Sequence, residues 1–144
     1  MDEQTIVLFD TRRDRLHQLE QALSSDHMVS TFDTSATMAC IRRRPTALVL
    51  ADWRQSGGAR ILNHLSDWPE EMRPPVVLLD DLGRAEDYRE MVERALRLKA
   101  LAFIPRPIES MGFCANLMTV LDFLGLGTEY HRVALRLMYY AQKH

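Results

Sequence analysis

The sequence predicts an α/β protein: a doubly wound, parallel five-stranded sheet of (βα)5 type, with an additional C-terminal helix. Three observations carry the prediction. Short continuous apolar runs such as TIVLF and ALVLA have the length and composition of strands buried on both faces. Segments with apolar residues at helical spacing alternate with those runs along the whole chain, and strands alternating with helices imply a parallel sheet covered on both sides. Charged residues stand just beyond the runs, at the ends of the expected strands.

The elements follow in order. Thr5 to Phe9 is the first strand. Arg13 to Leu23 is a helix with Leu16, Leu19, Ala22 and Leu23 on one face, broken by Ser24, Ser25 and Asp26. His27 to Phe32 is a more polar strand, suited to a sheet edge. Asp33, Thr34 and Ser35 are capping residues before a helix that ends at Arg42, Arg43 and Arg44, where basic side chains meet the negative end of the helix dipole; Pro45 stops it. Ala47 to Ala51 is the third strand, and after Gly57 and Gly58 comes a helix carrying Ile61, Leu62 and Leu65. Pro69, Pro74 and Pro75 punctuate the loop before the fourth strand, Val76 to Leu79. Arg84 to Lys99 is a helix with Tyr88, Met91, Val92, Ala95 and Leu96 inward, and Leu101 to Ile104 is the fifth strand. Pro107 to Leu124 is the fifth helix, broken by Gly125 and Gly127. Residues 128–143 close the chain as a further helix, with Tyr130, Ala134, Leu137, Met138 and Ala141 on one face. The division expected is a domain over residues 1–125 and a helical extension, for dimerisation or as a linker, over 126–144.

Composition narrows the function. The chain has 144 residues, 47% hydrophobic and 26% charged, the proportions of a folded domain with a substantial core. A formal net charge of −2 gives no global attraction to nucleic acid or anionic membrane, and the three arginines at 42–44 read as a solvated helix end. No apolar run has the length of a membrane span, and the acidic start MDEQTIVLFD is unlike a signal peptide, so a cytoplasmic protein is expected. Cys40 and Cys114 lie far apart in apolar helical contexts and read as reduced thiols. His17, His27, His64, His131 and His144 have no metal-ligand spacing, and no phosphate-binding glycine loop is present.

In open parallel sheets, ligands and chemistry collect beyond the carboxyl ends of the strands. There the sequence places Asp10 after the first strand, Asp52 after the third, Asp80 and Asp81 after the fourth, and Arg106 after the fifth. One aspartate after a strand is usually a helix cap. Several carboxylates and a guanidinium at one edge need mutual pairing or a metal, because a lone buried charge costs several kcal/mol.

This arrangement resembles the receiver domain of two-component response regulators, over Thr5 to about Leu124, and implies the flavodoxin/CheY-like fold. ALVLAD resembles the family's third strand, which ends in the phosphoacceptor aspartate, here Asp52; Trp53 beside it also occurs in the family. Asp10 matches the first of the family's paired acidic residues. FIPRP resembles the end of the fifth strand, with Phe103 at the aromatic switch position, Arg106 at the lysine position, and Pro107 at the proline usually preceded by a cis bond. The resemblance implies a phosphorylation site served by Mg²⁺ on Asp10 and Asp52, and a partner histidine kinase or output domain.

The pattern is broken at four places. Thr11 replaces the second acidic metal ligand, which weakens any Mg²⁺ site; Asp80 stands at the Ser/Thr position that contacts the phosphoryl group; Arg106 replaces the lysine with a planar fork; and the loop after Asp52 is short and lacks a Met-Pro step. The expectation is a pseudo-receiver that works through protein–protein contacts, with Asp80 paired to Arg106. Other readings stay open: an N-terminal regulatory module of a longer transcription regulator or cyclic-nucleotide signalling protein, still phosphorylated on Asp52, and, last, a small α/β enzyme using Asp10, Asp52 and Asp80. Arg12, Arg13 and Arg15 lie near the site and are candidates for an anion contact. Homodimerisation through 128–143 is a further expectation, and neither membrane nor nucleic-acid binding is expected of this domain.

Overall fold

The structure, a computed structural model, describes residues 4–23, 27–54, 57–81, 88–126, 138, 139 and 142. The first strand, β1 (Thr5–Phe9), is buried along its whole length, as four consecutive apolar side chains without alternation require. It is followed by α1 (Arg13–Leu23), β2 (Met28–Thr31), α2 (Thr34–Arg43), β3 (Thr46–Asp52), α3 (Gly57–Leu65), β4 (Val76–Asp80), α4 (Tyr88–Arg97), β5 (Ala102–Pro105) and α5 (Met111–Phe123). The strands form one five-stranded sheet in the order β2-β1-β3-β4-β5. Every pairing is parallel, for example Val7 with Val29 and Val49, and Leu78 with Phe103. The fold class is the doubly wound one that the alternating runs predict.

The period of two along each strand divides the core into two layers. Ile6, Leu8, Leu48, Leu50, Val77, Leu79 and Ile104 face α1 and α5, where they meet Leu16, Leu19, Leu23, Phe113, Leu117 and Leu121. Val7, Phe9, Val49, Ala51, Leu78 and Phe103 face the other side and meet Met38, Ile41, Ile61, Leu65, Met91 and Ala95 of α2, α3 and α4. Each fully buried Leu, Ile or Phe contributes about 1.5–3 kcal/mol, so two such layers supply most of the favourable energy of folding. The edge position expected for the polar second strand is correct. Its one buried residue, Thr31, donates to the Leu8 carbonyl at 3.0 Å and shares a 2.7 Å hydrogen bond with the buried Thr37 hydroxyl of α2.

Helix boundaries follow their caps. The Asp33 side chain accepts from Ala36 N at 2.7 Å and starts α2, as its cap-type sequence predicts. The fifth helix departs from expectation: it begins at Met111, not at Pro107. Ser110 supplies the N-cap, its Oγ accepting from Phe113 N at 3.0 Å, and residues 107–110 form a turn after the cis Arg106–Pro107 bond. Tyr88 and Leu96 were expected inward on α4. Both are exposed, 43% and 53%, while Met91 and Ala95 fill the narrow stripe that meets the sheet. Residues 84–87 and almost all of the expected last helix, 128–143, lie outside the described residues; of that segment Met138 packs against the α1/α5 core layer and Tyr139 is exposed.

In this order successive strands are added to one side of β1 and then, from β3 on, to the other, and the switch point between β1 and β3 is where open sheets place their sites. The carboxyl ends of these two strands carry Asp10 and Asp52.

Candidate functional site

The sheet delivers the site residues to one edge. Asp52 is the last residue of β3 and Asp10 follows β1, each 1% exposed. Two glycines let α3 approach directly beneath Asp52. A Cβ on Gly57 would lie 2.5 Å from the Phe9 ring; on Gly58, it would lie 2.5 Å from Leu78 Cδ2 and 3.1 Å from the Asp52 carbonyl oxygen. At the first strand end, the Asp10 carboxylate accepts from Arg12 N at 2.9 Å and so is held in place by the turn into α1.

Arg106 reaches across from the end of β5. Its backbone N–H donates to the Asp80 carbonyl at 2.9 Å, anchoring the residue to the end of β4. Its side chain is 7% exposed, and Nη2 donates to Asp10 Oδ2 at 3.0 Å and lies 3.4 Å from Asp52 Oδ1. One guanidinium nitrogen therefore bridges the two buried carboxylates. The same geometry leaves Arg106 Nε buried without a hydrogen-bond partner among the described residues. An orphaned donor of this kind costs about 1–3 kcal/mol, which the charged bridge offsets.

Two further arginines complete the cluster. Arg15 of α1 places Nη1 3.4 Å from the same Asp52 Oδ1 and Nη2 3.4 Å from Asp81 Oδ2. Arg54, two residues beyond Asp52, donates from Nε to Asp80 Oδ1 at 2.9 Å and from Nη2 to Asp81 Oδ2. Among the described residues the site is thus a chain of four aspartates linked by three arginines. The expected Asp80–Arg106 ion pair is corrected: Asp80 accepts from Arg54 and from Asp81 N at 2.8 Å, while the Arg106 side chain turns to Asp10 and Asp52. Sequence reasoning gave Arg54 no role. Its signal was its position beyond the β3 aspartate, within reach of the β4 end.

The electrostatics at Asp52 oppose one another. Burial, and then the charge of Asp10, raise its pKa, while Arg106 and Arg15 lower it; burial dominates and holds the carboxyl up at about 6. Behind it, Trp53 packs edge-on to Phe103, ring centroids 5.7 Å apart at 64°, and the Arg94 guanidinium lies 5.4 Å over the Trp53 ring. Phe103 is fully buried and also meets the Tyr88 ring at 6.2 Å. The Arg106–Pro107 bond is cis, as the FIPRP match implies.

As arranged, the donors do not fit a divalent cation. Mg²⁺ needs near-octahedral oxygen ligands and gives up its waters reluctantly. Here the gap between Asp10 and Asp52 is bridged by Arg106 Nη2, and the neutral Thr11 is exposed. No cluster of three or more His, Cys, Asp or Glu side chains among the described residues is placed to hold a metal.

No family model and no curated protein matches the chain. Solved structures do. The chain is similar to the receiver domain of NtrX from Brucella abortus, at 26% identity and a TM-score of 0.62, covering 85% of this chain and 98% of that one. It is similar to a Francisella response regulator receiver domain at 16% identity and a TM-score of 0.65, over 90% and 98% of the two chains. It is also similar to the signal receiver domain of an HD domain-containing protein from Pseudomonas fluorescens Pf-5, at 17% identity and a TM-score of 0.65, over 90% and 94%. Against a longer NtrX chain, with a TM-score of 0.68 and 24% identity, it spans 29% of that protein's length. The fold is that of response-regulator receiver domains. No described helix is long and apolar enough to cross a membrane.

Proposed function

We propose that the chain is a receiver-type signalling domain of a two-component pathway that acts through protein–protein contacts, with a degenerate phosphorylation site at Asp52, and that it is not an enzyme. The observation that carries this reading is the guanidinium clamp: Asp52 sits at the acceptor position, yet Arg106 and Arg15 both lie 3.4 Å from its Oδ1. A carboxylate oxygen so held is a poor nucleophile, because its charge is already engaged by two cations. In this reading the clamp holds one conformation, Phe103 and Pro107 occupy the switch segment, and the signal is the surface that the domain presents to a histidine kinase or an output domain. Residues 126–144 serve as a linker or dimerisation extension.

A second reading is a regulatory module of a longer regulator, still phosphorylated on Asp52. The architecture of the NtrX chain, of which the matched part is under a third, favours it. Restoration distinguishes the two. The triple variant Thr11→Asp, Asp80→Thr, Arg106→Lys is expected to gain labelling by acetyl phosphate with Mg²⁺, read as the mass of one phosphoryl group, while the wild type stays unlabelled. Equal labelling of both proteins favours the second reading; labelling of neither removes Asp52 from the account.

A further inference from the structure

We propose that Arg106 is the resident cation of this site: its guanidinium takes the place of a divalent metal between Asp10 and Asp52 and makes the aspartate pair independent of divalent ions. The inference deepens the receiver reading and rests on it for the identity of the site. The bridge is a buried one, with Nη2 3.0 Å from Asp10 Oδ2 and 3.4 Å from Asp52 Oδ1, and the side chain 7% exposed. A dication bridging the same two oxygens would have to displace Nη2, and the displaced guanidinium, anchored by its backbone N–H on the Asp80 carbonyl, would remain close. Arg15, on the same Asp52 oxygen, adds a second positive charge against any incoming cation. Arg54 holds the remaining carboxylates, Asp80 and Asp81, and withdraws them from ligation. Arg106 Nε shows which contact governs the side chain: the guanidinium adopts the position that bridges the two carboxylates even though Nε has no acceptor among the described residues.

The test reads metal binding and no reaction. Free Mn²⁺ is followed by electron paramagnetic resonance as the intact chain is added, with thermal unfolding in Mg²⁺ or in chelator alongside. For the wild type, the inference predicts no saturable Mn²⁺ site and the same Tm in Mg²⁺ and chelator. Removing the cation with Arg106→Met is expected to create one saturable site, at least about tenfold tighter than any wild-type binding. Adding Asp10→Asn to that variant should abolish it, and Arg106→Lys should not create it. A saturable wild-type site lost in Asp10→Asn overturns the inference, as does a folded Arg106→Met protein that binds no metal. Should Arg106→Met fail to fold, the wild-type Tm comparison still decides, because a Mg²⁺-dependent rise contradicts a resident cation. The two proposals fail separately: phosphoryl labelling of a wild type that binds no metal removes the degenerate site and leaves this inference standing, and metal binding without labelling does the reverse.

Discussion

Asp52 sets the behaviour of the site at the scale of single residues. Its carboxyl is held near pKa 6, against 3.8 for an ordinary aspartate, chiefly by burial. Between those values the native state keeps a proton that the unfolded chain has released, so this group's contribution to stability falls as pH rises through about 4 to 6. A shift of that size corresponds to about 3 kcal/mol. Asp52→Asn is therefore expected to be more stable than wild type by about 1–3 kcal/mol near pH 7.5, with the difference shrinking towards pH 4, as measured by urea unfolding across that range. A variant less stable than wild type near neutrality contradicts the burial argument. Removing Arg106 has the opposite sign. Arg106→Ala leaves two buried carboxylates without their bridge and is expected to cost about 3–5 kcal/mol in the same assay.

How much of this was legible depended on reach. Asp10, Asp52 and Arg106 could be read from the sequence because each stands directly after an apolar run. Parallel strands bring such residues to one edge whatever their side chains do. The partners within the edge were less legible. Asp80 and Arg106 end neighbouring strands, which made their pairing the natural expectation, yet the Asp80 carboxylate accepts from Asp81 N and Arg54. Arginine chains of this length choose among several carboxylates, and no spacing rule selects one.

Boundaries are the point of interest at the scale of elements. The α3 approach to the sheet requires glycine twice. Gly58→Ala forces a Cβ against Leu78 Cδ2 and the Asp52 carbonyl and is expected to cost about 1–3 kcal/mol of stability, with a smaller loss if Leu78 is shortened at the same time. No change on single substitution would mean that α3 can retreat from Asp52. Lys99, after α4, has φ 66°, and Ala100 N donates back to the Ala95 carbonyl at 3.0 Å, the geometry of a left-handed helix end. Lys99→Gly is expected to raise stability by about 0.5–1 kcal/mol in thermal unfolding, and a loss would contradict this reading of the cap. The sequence shows the two glycines but hides the Lys99 cap. The helix period gives no information about a residue just past its end, and the start of α5 was misplaced because the apolar Ile108 continues the helical pattern into a turn. Tyr88 and Leu96 misled in the same way: α4 touches the sheet along a narrow stripe, so apolar residues beside that stripe remain exposed.

At the scale of the whole molecule, the alternation of buried runs and amphipathic helices was enough to predict the order of layers, since right-handed crossovers leave few ways to wind five parallel strands. The fold then fixes where the site must be, between the ends of β1 and β3. What that site does follows from charge, not from topology, because the same topology serves many functions. Here three arginines link four aspartates at that edge. The C-terminal segment, whose expected helix lies largely outside the described residues, reaches the α1/α5 side of the core through Met138.

The most direct test of the proposed degenerate site is the intact mass of the wild-type chain after incubation with acetyl phosphate and Mg²⁺, beside an Asp52→Ala control, with circular dichroism to establish that both are folded. The clamp at Asp52 predicts a folded wild-type protein with no added phosphoryl mass. An adduct of one phosphoryl group on the wild type that is absent from Asp52→Ala would contradict it and make Asp52 a working switch.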